Sequence, residues 1–223
     1  MLCYPCSAAV SAPVAFDAAR RRAYLCSLDG RLTALAVQRQ AAGDLAVAEA
    51  WHRTLPAPLF AAPAVVEPSG CVVVAAADGT VAAFGADGEA LWSIRLGASV
   101  FARPLQFGEG HVLIGASDGE LVGIATGTGV HTSLCHLGSQ VTSIWGAPLG
   151  QGWLGACTSG GTVAVFDAGA ISASLEAGVA STCRPIDAVR LPGDVFCIGV
   201  AVHGGGAVAV GCRDDHVYCL HVN

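Results

Sequence analysis

A turn followed by an apolar β-run recurs five times along the chain, and this repeat constrains the fold more than any other feature. The five copies read SLDGRLTAL (27–35), AADGTVAAF (76–84), ASDGELVGI (116–124), TSGGTVAVF (158–166) and CRDDHVYCL (212–220). The spacings are 49, 40, 42 and 54 residues, counted between the equivalent positions Gly30, Gly79, Gly119, Gly161 and Asp215. An Asp-Gly pair between apolar runs is a strong hairpin signal. The copies therefore predict β-hairpins within one repeated structural unit.

The segment 71–104 contains one complete repeat unit. Its apolar runs are separated by turns, the first at Asp78-Gly79, and its outer run carries Trp92. Trp51 has the same place in the preceding unit, since each tryptophan stands 12 residues before a proline. Four short strands bury both faces of so small a sheet only when similar sheets stack against it. Four strands in about 40–50 residues are typical of a β-propeller blade, so we predict an all-β propeller of about five four-stranded blades, with the tryptophans packed between blades.

We expect a single propeller domain over residues 1–223. Its approximate blades are 1–54, 55–96, 97–136, 137–190 and 191–223. The predicted strands are 8–16, 22–27, 31–37 and 46–54 in the first blade and 191–196, 207–212 and 216–222 in the last. The chain thus starts on a first strand and stops on a third, so we expect an incomplete ring with unpaired backbone edges.

Two segments depart from the repeat. In the third unit the counterpart of Trp92 falls among Val130, His131 and Thr132, so its outer strand is expected to be weak. In the fourth unit residues 167–189 form a longer connection. The one helix-like stretch, ISASLEAGVAS at 171–181, is interrupted by glycine and lacks a long apolar face. We therefore expect essentially no helix.

Composition excludes several classes of function. Hydrophobic residues make up 53% of the chain, but no apolar run approaches the roughly 18–20 residues of a membrane-spanning helix, so we expect no membrane partner. The chain has no lysine, which excludes a phosphate-loop lysine, a Schiff base and the lysine of an adenylate-forming active site. A net charge of −6 without a basic stripe argues against nucleic acid as a partner. The one basic run, Arg20 to Arg22, is predicted to lie in a solvated turn.

The ten cysteines are expected to be reduced, because most lie inside β-runs, where a free cysteine behaves as a small buried hydrophobe. The N-terminal sequence MLCYPCSAAV has no charged region and too short an apolar core for a signal peptide. We therefore expect a cytoplasmic protein, or a fragment of a longer one.

None of the short motifs predicts a catalytic, cofactor or metal site. GASDG at 115–119 matches the GxSxG motif of α/β-hydrolases, but that motif needs a strand followed by a helix, and here a second strand follows. ATGTG at 125–129 lacks the lysine of a phosphate loop and reads as a hairpin turn. Cys3 and Cys6 have redox or half-zinc-site spacing without a second CxxC pair.

The C-terminal group of Cys212, His216, Cys219 and His221 also fails as a metal site. Strand alternation puts Cys219 and His221 on one face and His216 on the other. The residues that the repeat singles out are therefore structural. They are Trp51, Trp92, Gly30, Asp78, Gly79, Asp118, Gly119, Gly161 and Asp214.

The pattern DGxVxAΦ…DGExLW…GxxVFxxP, in which Φ is apolar, resembles the PQQ-type (quinoprotein alcohol dehydrogenase-like) β-propeller repeat over nearly the whole chain. Residues 91–104 and 191–223 resemble more specifically the C-terminal propeller of the beta-alanine-activating enzyme family, which consists of acyl-CoA synthetase-like acid–thiol ligases. This resemblance implies a non-catalytic propeller that is a scaffold or docking surface for adenylation and carrier domains. It places ATP and phosphopantetheine on those domains, with no cofactor in this chain. The family propeller has more blades, which implies a truncated chain.

Two other functions are possible for such a propeller, because fold does not determine function. A PQQ-dependent dehydrogenase has a calcium site of acidic and amide ligands and often a vicinal disulfide. This chain has no adjacent cysteines, and its only asparagine is Asn223. A general protein-interaction scaffold is the other possibility. One kind, the propeller of bacterial outer-membrane assembly, would require a lipoprotein signal, which MLCYPCSA does not supply.

Overall fold

The computed structural model describes residues 3–40, 44–146, 152–178, 183–196, 200–202 and 207–221. By its internal contacts the chain divides into two compact units. The first comprises Met1–Pro104 with Thr126–Gly129, and the second comprises Leu105–Ala125 with Val130–Asn223. Within the described residues, no helix is both long and apolar enough to cross a membrane. The single-domain division into five blades stays a prediction.

The first unit contains two antiparallel sheets of four strands, in which each strand pairs with its neighbour in sequence. Sheet 1 consists of β1 (Ala15–Asp17), β2 (Arg22–Cys26), β3 (Arg31–Arg39) and β4 (Leu45–Thr54). Sheet 2 consists of β5 (Ala64–Val66), β6 (Cys71–Ala75), β7 (Thr80–Phe84) and β8 (Ala90–Arg95). All five residues of β6 are buried, as expected of a continuous apolar strand covered on both faces. Side chains of both sheets share one core, in which Tyr24, Leu32 and Val72 are fully buried.

The second unit contains three further antiparallel sheets. Sheet 3 consists of β9 (Leu105–Phe107), β10 (His111–Gly115), β11 (Glu120–Ala125) and β12 (His131–His136). Sheet 4 consists of β13 (Val141–Gly146), β14 (Trp153–Thr158), β15 (Thr162–Asp167) and β16 (Asp187–Arg190), with helix α1 (Ala168–Ala177) between its last two strands. Sheet 5 consists of β17 (Val200–Val202), β18 (Ala207–Gly211) and β19 (Val217–His221). The predicted all-β class with repeated four-stranded sheets is confirmed.

Helix α1 corrects the prediction of essentially no helix. Asp167 caps its N-terminus by accepting the N–H of Ala170, and Gly178 ends it with φ 61°, which are the residue types that favour the two ends of a helix. Ile171 and Leu175, one turn apart, are both buried. The sequence analysis missed the helix because tertiary packing on a narrow apolar face stabilises it, and propensity alone does not show this.

Two strand predictions also need correction. The first strand lies at Ala15–Asp17, at the end of the predicted 8–16 segment and one residue beyond it. Residues 191–196 form no strand, and only a single bridge joins Val195 to Cys212; the first described strand of sheet 5 is Val200–Val202. Strand β12 is no shorter than β8, with six residues each. Its expected weakness is therefore not visible in its length.

Candidate functional site

The repeat glycines anchor the end of the fourth strand in four of the five sheets. Gly30, Gly79, Gly119 and Gly161 have φ between 82 and 99°. The carbonyl of each accepts a leucine N–H just after the fourth strand, at 2.8–2.9 Å; these leucines are Leu55, Leu96, Leu137 and Leu191. A Cβ on Gly79 would lie 2.6 Å from the Ala98 carbonyl oxygen. Glycine is required at these turns by both the positive φ and the close approach.

The repeat aspartates close the same turns. The carboxylates of Asp78 and Asp118 each accept the amide N–H two residues later at 3.0 Å, which is the hydrogen bond of an Asx turn. Asp214 does the same at 3.2 Å. The Tyr218 hydroxyl also donates to Asp214 at 2.5 Å, which lowers the pKa of Asp214 and raises the pKa of Tyr218 to about 12. These carboxylates thus hold backbone and neighbouring side chains in place.

Trp51 fills the space between sheets 1 and 2. It stands on β4 directly opposite Ala34, the fourth residue after the repeat glycine. Its indole Nε1–H donates to the Ala86 carbonyl at 2.9 Å, and the ring lies on Gly88, where a Cβ would be 2.7 Å from Cδ2. The ring of Phe84 lies 6.4 Å away between centroids. Trp51 is only 9% exposed, so one side chain closes this space.

Trp92 repeats this arrangement within the first unit. It stands opposite Ala83 on β7, at the same register position as Trp51. Its Nε1–H donates to the Thr126 carbonyl at 2.7 Å, and its ring lies on Gly129, where a Cβ would be 3.0 Å from the ring. Trp92 is half-buried, which is less than the sequence analysis implied for a residue packed between blades.

Sheet 3 has no tryptophan at this position. The fourth residue after the repeat glycine of this sheet is Gly123, and the residue opposite Gly123 is Thr132. The space above Gly123 is filled instead by Leu175 of helix α1, since a Cβ on Gly123 would lie 2.1 Å from Leu175 Cδ2. Both Thr132 and Leu175 are buried. The helix between β15 and β16 therefore supplies the apolar group that a tryptophan supplies in the first unit.

In sheet 4 the corresponding space is unfilled. The fourth residue after the repeat glycine of this sheet is Val165, and Asp187 on β16 stands opposite it. All four residues of β16 are exposed. A cavity of about 220 Å³ lies here between sheets 4 and 5. We call this cavity the bay. It is lined by Val163, Val165, Asp187, Ala188, Val189, Val208, Cys219 and Leu220.

Strand β19, which forms one wall of the bay, is the last strand that the structure describes. Within the described residues, sheet 5 has the order β17-β18-β19. In the four other sheets, the strand equivalent to β19 pairs with a fourth strand on this side.

The sequence analysis missed both Asp187 and Leu175. Counting from Gly161 identifies Val165 as the fourth residue after the repeat glycine. Its partner on the next strand follows an insertion, and the length of that insertion does not show which residue pairs with Val165. The signal was the absence of tryptophan after the fourth repeat turn, together with the apolar spacing of Ile171 and Leu175.

The short motifs lie in the predicted hairpins. GASDG at 115–119 joins β10 to β11, with the Gly119 N–H bonded to the Ala116 carbonyl at 3.2 Å. ATGTG at 125–129 joins β11 to β12 and accepts the Trp92 indole. Cys3 and Cys6 are exposed free thiols. The described residues contain no group of three or more potential metal ligands, and the side chain of His221 lies outside the description.

The basic run begins in the predicted turn, where Arg20 and Arg21 are exposed and Arg22 is half-buried. Arg20 donates to Asp17 at 3.1 Å and to the carbonyls of Pro68 and Ser69. Arg22, already in β2, donates to Asp87 at 2.9 Å and to the Ala86 carbonyl. Two of the three arginines therefore connect sheets 1 and 2, which leaves no basic patch at this turn.

Comparison with known proteins shows the fold. No curated protein matches the chain in sequence. The crystal structure of BamB from Moraxella catarrhalis is similar with a TM-score of 0.73 and 20% identity, over 98% of this chain and 60% of that one. The computationally designed protein Ika8 is similar with a TM-score of 0.65 and 18% identity, over 96% of this chain and 71% of that one. The chain thus spans about 60% of the length of the BamB structure.

A family match corrects one conclusion of the sequence analysis. The sequence model described as outer membrane protein assembly factor BamB, a PQQ-type repeat family, matches residues 29–175. The sequence analysis sets aside the outer-membrane assembly propellers because MLCYPCSA supplies no lipoprotein signal, but the family match lies in the repeats and does not depend on that segment. The match covers more than half of the chain, and the chain therefore belongs to this family.

Proposed function

We propose that this chain is a non-catalytic interaction module that holds other proteins. The observation that supports this most directly is the match of residues 29–175 to a family described as an outer membrane protein assembly factor.

The family supports a scaffold role of this kind. The family is described as an outer membrane protein assembly factor, and propeller sheets offer many loops that can contact other proteins. In the described residues the repeat positions participate in turns and packing. We therefore place function in surfaces rather than in a reaction centre.

A finer hypothesis names the partners. The resemblance of residues 91–104 and 191–223 to the beta-alanine-activating enzyme family suggests adenylation and carrier domains, in a cytoplasmic acid–thiol ligase that uses ATP and phosphopantetheine. This hypothesis depends on that resemblance alone. Mixing the purified chain with an adenylation–carrier didomain of that family, followed by size-exclusion chromatography, tests it; separate elution at micromolar concentration would remove it.

The general proposal is tested by isolating partners and rebuilding the complex. Because the chain has no lysine, amine-reactive cross-linkers attach only at its N-terminus, so a photoreactive group should be used. Each cross-linked protein is then purified and mixed with the chain. We expect at least one stable complex of defined stoichiometry. If no cross-linked protein forms a complex when both components are pure, the scaffold proposal is wrong.

A further inference from the structure

Two cysteines far apart in the sequence come together where the connection after α1 passes strand β12. The backbone N–H of Cys183 donates to the carbonyl oxygen of Leu134 at 2.9 Å, and Cys135 is the next residue on β12. A carbonyl oxygen lies about 2.8 Å from the Cα of the following residue, so the Cα atoms of Cys135 and Cys183 are at most about 7 Å apart, and any bend along this path shortens the distance. A disulfide bond usually joins Cα atoms that are about 4.4–6.8 Å apart.

The two side chains also contact the same apolar core. Cys183 is buried in this core together with Leu121 and Leu134, and the half-buried Cys135 packs against it. Neighbouring side chains on a regular strand point to opposite faces. Here β12 has a bulge between the residues that pair with Leu121 and Val122, which allows both Leu134 and Cys135 to contact this core.

The sulfur of Cys183 lies close to both α1 and Cys135. The hydroxyl oxygen of Ser174, on α1, is 3.3 Å from Cys183 Sγ. Burial, and to a smaller extent the charge of the Cys183 thiolate, raise the pKa of Cys135 to about 12. Because such an electrostatic effect weakens with distance, it agrees with the short backbone distance between the two cysteines.

From the backbone hydrogen bond and the shared core, we propose that Cys135 and Cys183 form a reversible disulfide bond, which fastens the connection after α1 to β12. The structure holds both residues as thiols, and the oxidant is an external disulfide such as glutathione disulfide. The Cys135 thiolate attacks one sulfur of that disulfide and releases one glutathione thiolate. The Cys183 thiolate then attacks the Cys135 sulfur and releases the second. Two cysteine thiols are thus oxidised, one glutathione disulfide is reduced, and the two cysteine protons pass to the released glutathione.

The bond fixes the segment that closes the space in sheet 3. Cys183 follows α1, whose Leu175 fills the space over Gly123. The link encloses a loop of about 50 residues and so restricts the unfolded chain. Oxidation should therefore raise the thermal midpoint of unfolding by about 5 °C or more. This effect is independent of which partners the chain binds.

Glutathione redox buffers test the bond on the full chain. One sample is oxidised in the native state, and a second is refolded from urea in the same mixture of reduced and oxidised glutathione, so that burial of the thiols cannot prevent the reaction. The remaining thiols are alkylated. A glutamate-specific protease, cutting after Glu120 and Glu176, then places the two cysteines in different fragments, 121–176 and 177–223. Tandem mass spectrometry without reduction identifies the joined cysteines.

We expect Cys135 to be joined to Cys183 in the refolded sample and, more slowly, in the native one. Cys135→Ala and Cys183→Ala should each abolish the link and the rise in thermal midpoint. Cys212→Ala, which removes another half-buried thiol of the second unit, should retain both. Fragments that stay unlinked in both samples, or that are linked through Cys157 instead, would overturn the proposal. So would an equal rise in thermal midpoint on oxidation of the Cys183→Ala variant.

Discussion

The space that Trp51 fills between sheets 1 and 2 and the bay between sheets 4 and 5 occupy the same place in the repeat. In both, the fourth residue after the repeat glycine stands opposite the deciding position on the last strand. In the first case that position holds a tryptophan, whose ring and N–H are both satisfied within the chain. In the second it holds an exposed aspartate beside a cavity. The residue at this position is therefore one difference between a closed repeat interface and one that contains a cavity.

The comparison also shows that closure does not require tryptophan. Over Gly123 the helix α1 supplies Leu175 from a segment that the first unit does not have. This side chain is as well buried as Trp51. The repeat therefore specifies a space to be filled, and different parts of the chain can fill it.

The largest effect is expected for Trp51→Ala. The change removes a buried ring and its hydrogen bond to Ala86, and it should lower the free energy of unfolding by about 3–5 kcal/mol, measured by urea titration. Trp51→Phe is the matched control, since it keeps a ring and loses the N–H, and it should cost only about 1–2 kcal/mol. A loss below about 1 kcal/mol in Trp51→Ala would show that the tryptophan does not close the space.

Leu175→Ala should have the next largest effect. The leucine side chain fills the space over Gly123, so its removal should cost about 2–4 kcal/mol and should also weaken α1. Far-UV circular dichroism and thermal unfolding measure the two effects together. Glu176→Ala, on the exposed side of the same helix turn, should change stability by less than about 0.5 kcal/mol. Equal losses of stability in the two variants would mean that the helix as a whole, rather than the contact between Leu175 and Gly123, stabilises the fold.

Asp187→Trp should stabilise the free chain by about 1 kcal/mol, because it fills the bay as Trp51 fills its counterpart. Differential scanning calorimetry measures the increase. Arg190→Trp should leave the transition where it is. If the two substitutions raise stability equally, added hydrophobicity on β16 explains the gain, and the parallel with sheet 1 fails.

The last prediction concerns alkaline pH, and no effect is expected below about pH 9. Burial raises the pKa of the Cys26 thiol from 9.0 to about 12, so the folded chain keeps this thiol protonated where the unfolded chain ionises it. The contribution of the protonated Cys26 thiol to the free energy of unfolding is therefore complete below about pH 9 and is lost as the pH rises toward about 12. Urea titrations under reducing conditions should show less alkaline loss in Cys26→Ala than in the unaltered chain. An identical pH slope in both would exclude this thiol as a cause.

Much of the fold could be predicted from local chemistry. Asp-Gly turns between short apolar runs specify hairpins, because only certain residues adopt positive φ and close an Asx turn. Gly79 and Asp78 have these roles in the structure. The repeated spacing then predicts stacked four-stranded sheets. The helix could not be predicted in the same way, because Ile171 and Leu175 are stabilised by contacts that become available only when sheet 3 is in place.

The sequence by itself determined the turns, the strand repeat and the tryptophan positions, because these depend on residues close together along the chain. Only the tertiary structure decided which spaces are filled. Leu175 covers Gly123, and Asp187 leaves the bay open beside Leu220, through pairings between residues far apart in sequence. Packing density is a property of neighbouring sheets, so whether an interface closes on itself depends on strand register after an insertion, which the order of residues does not reveal.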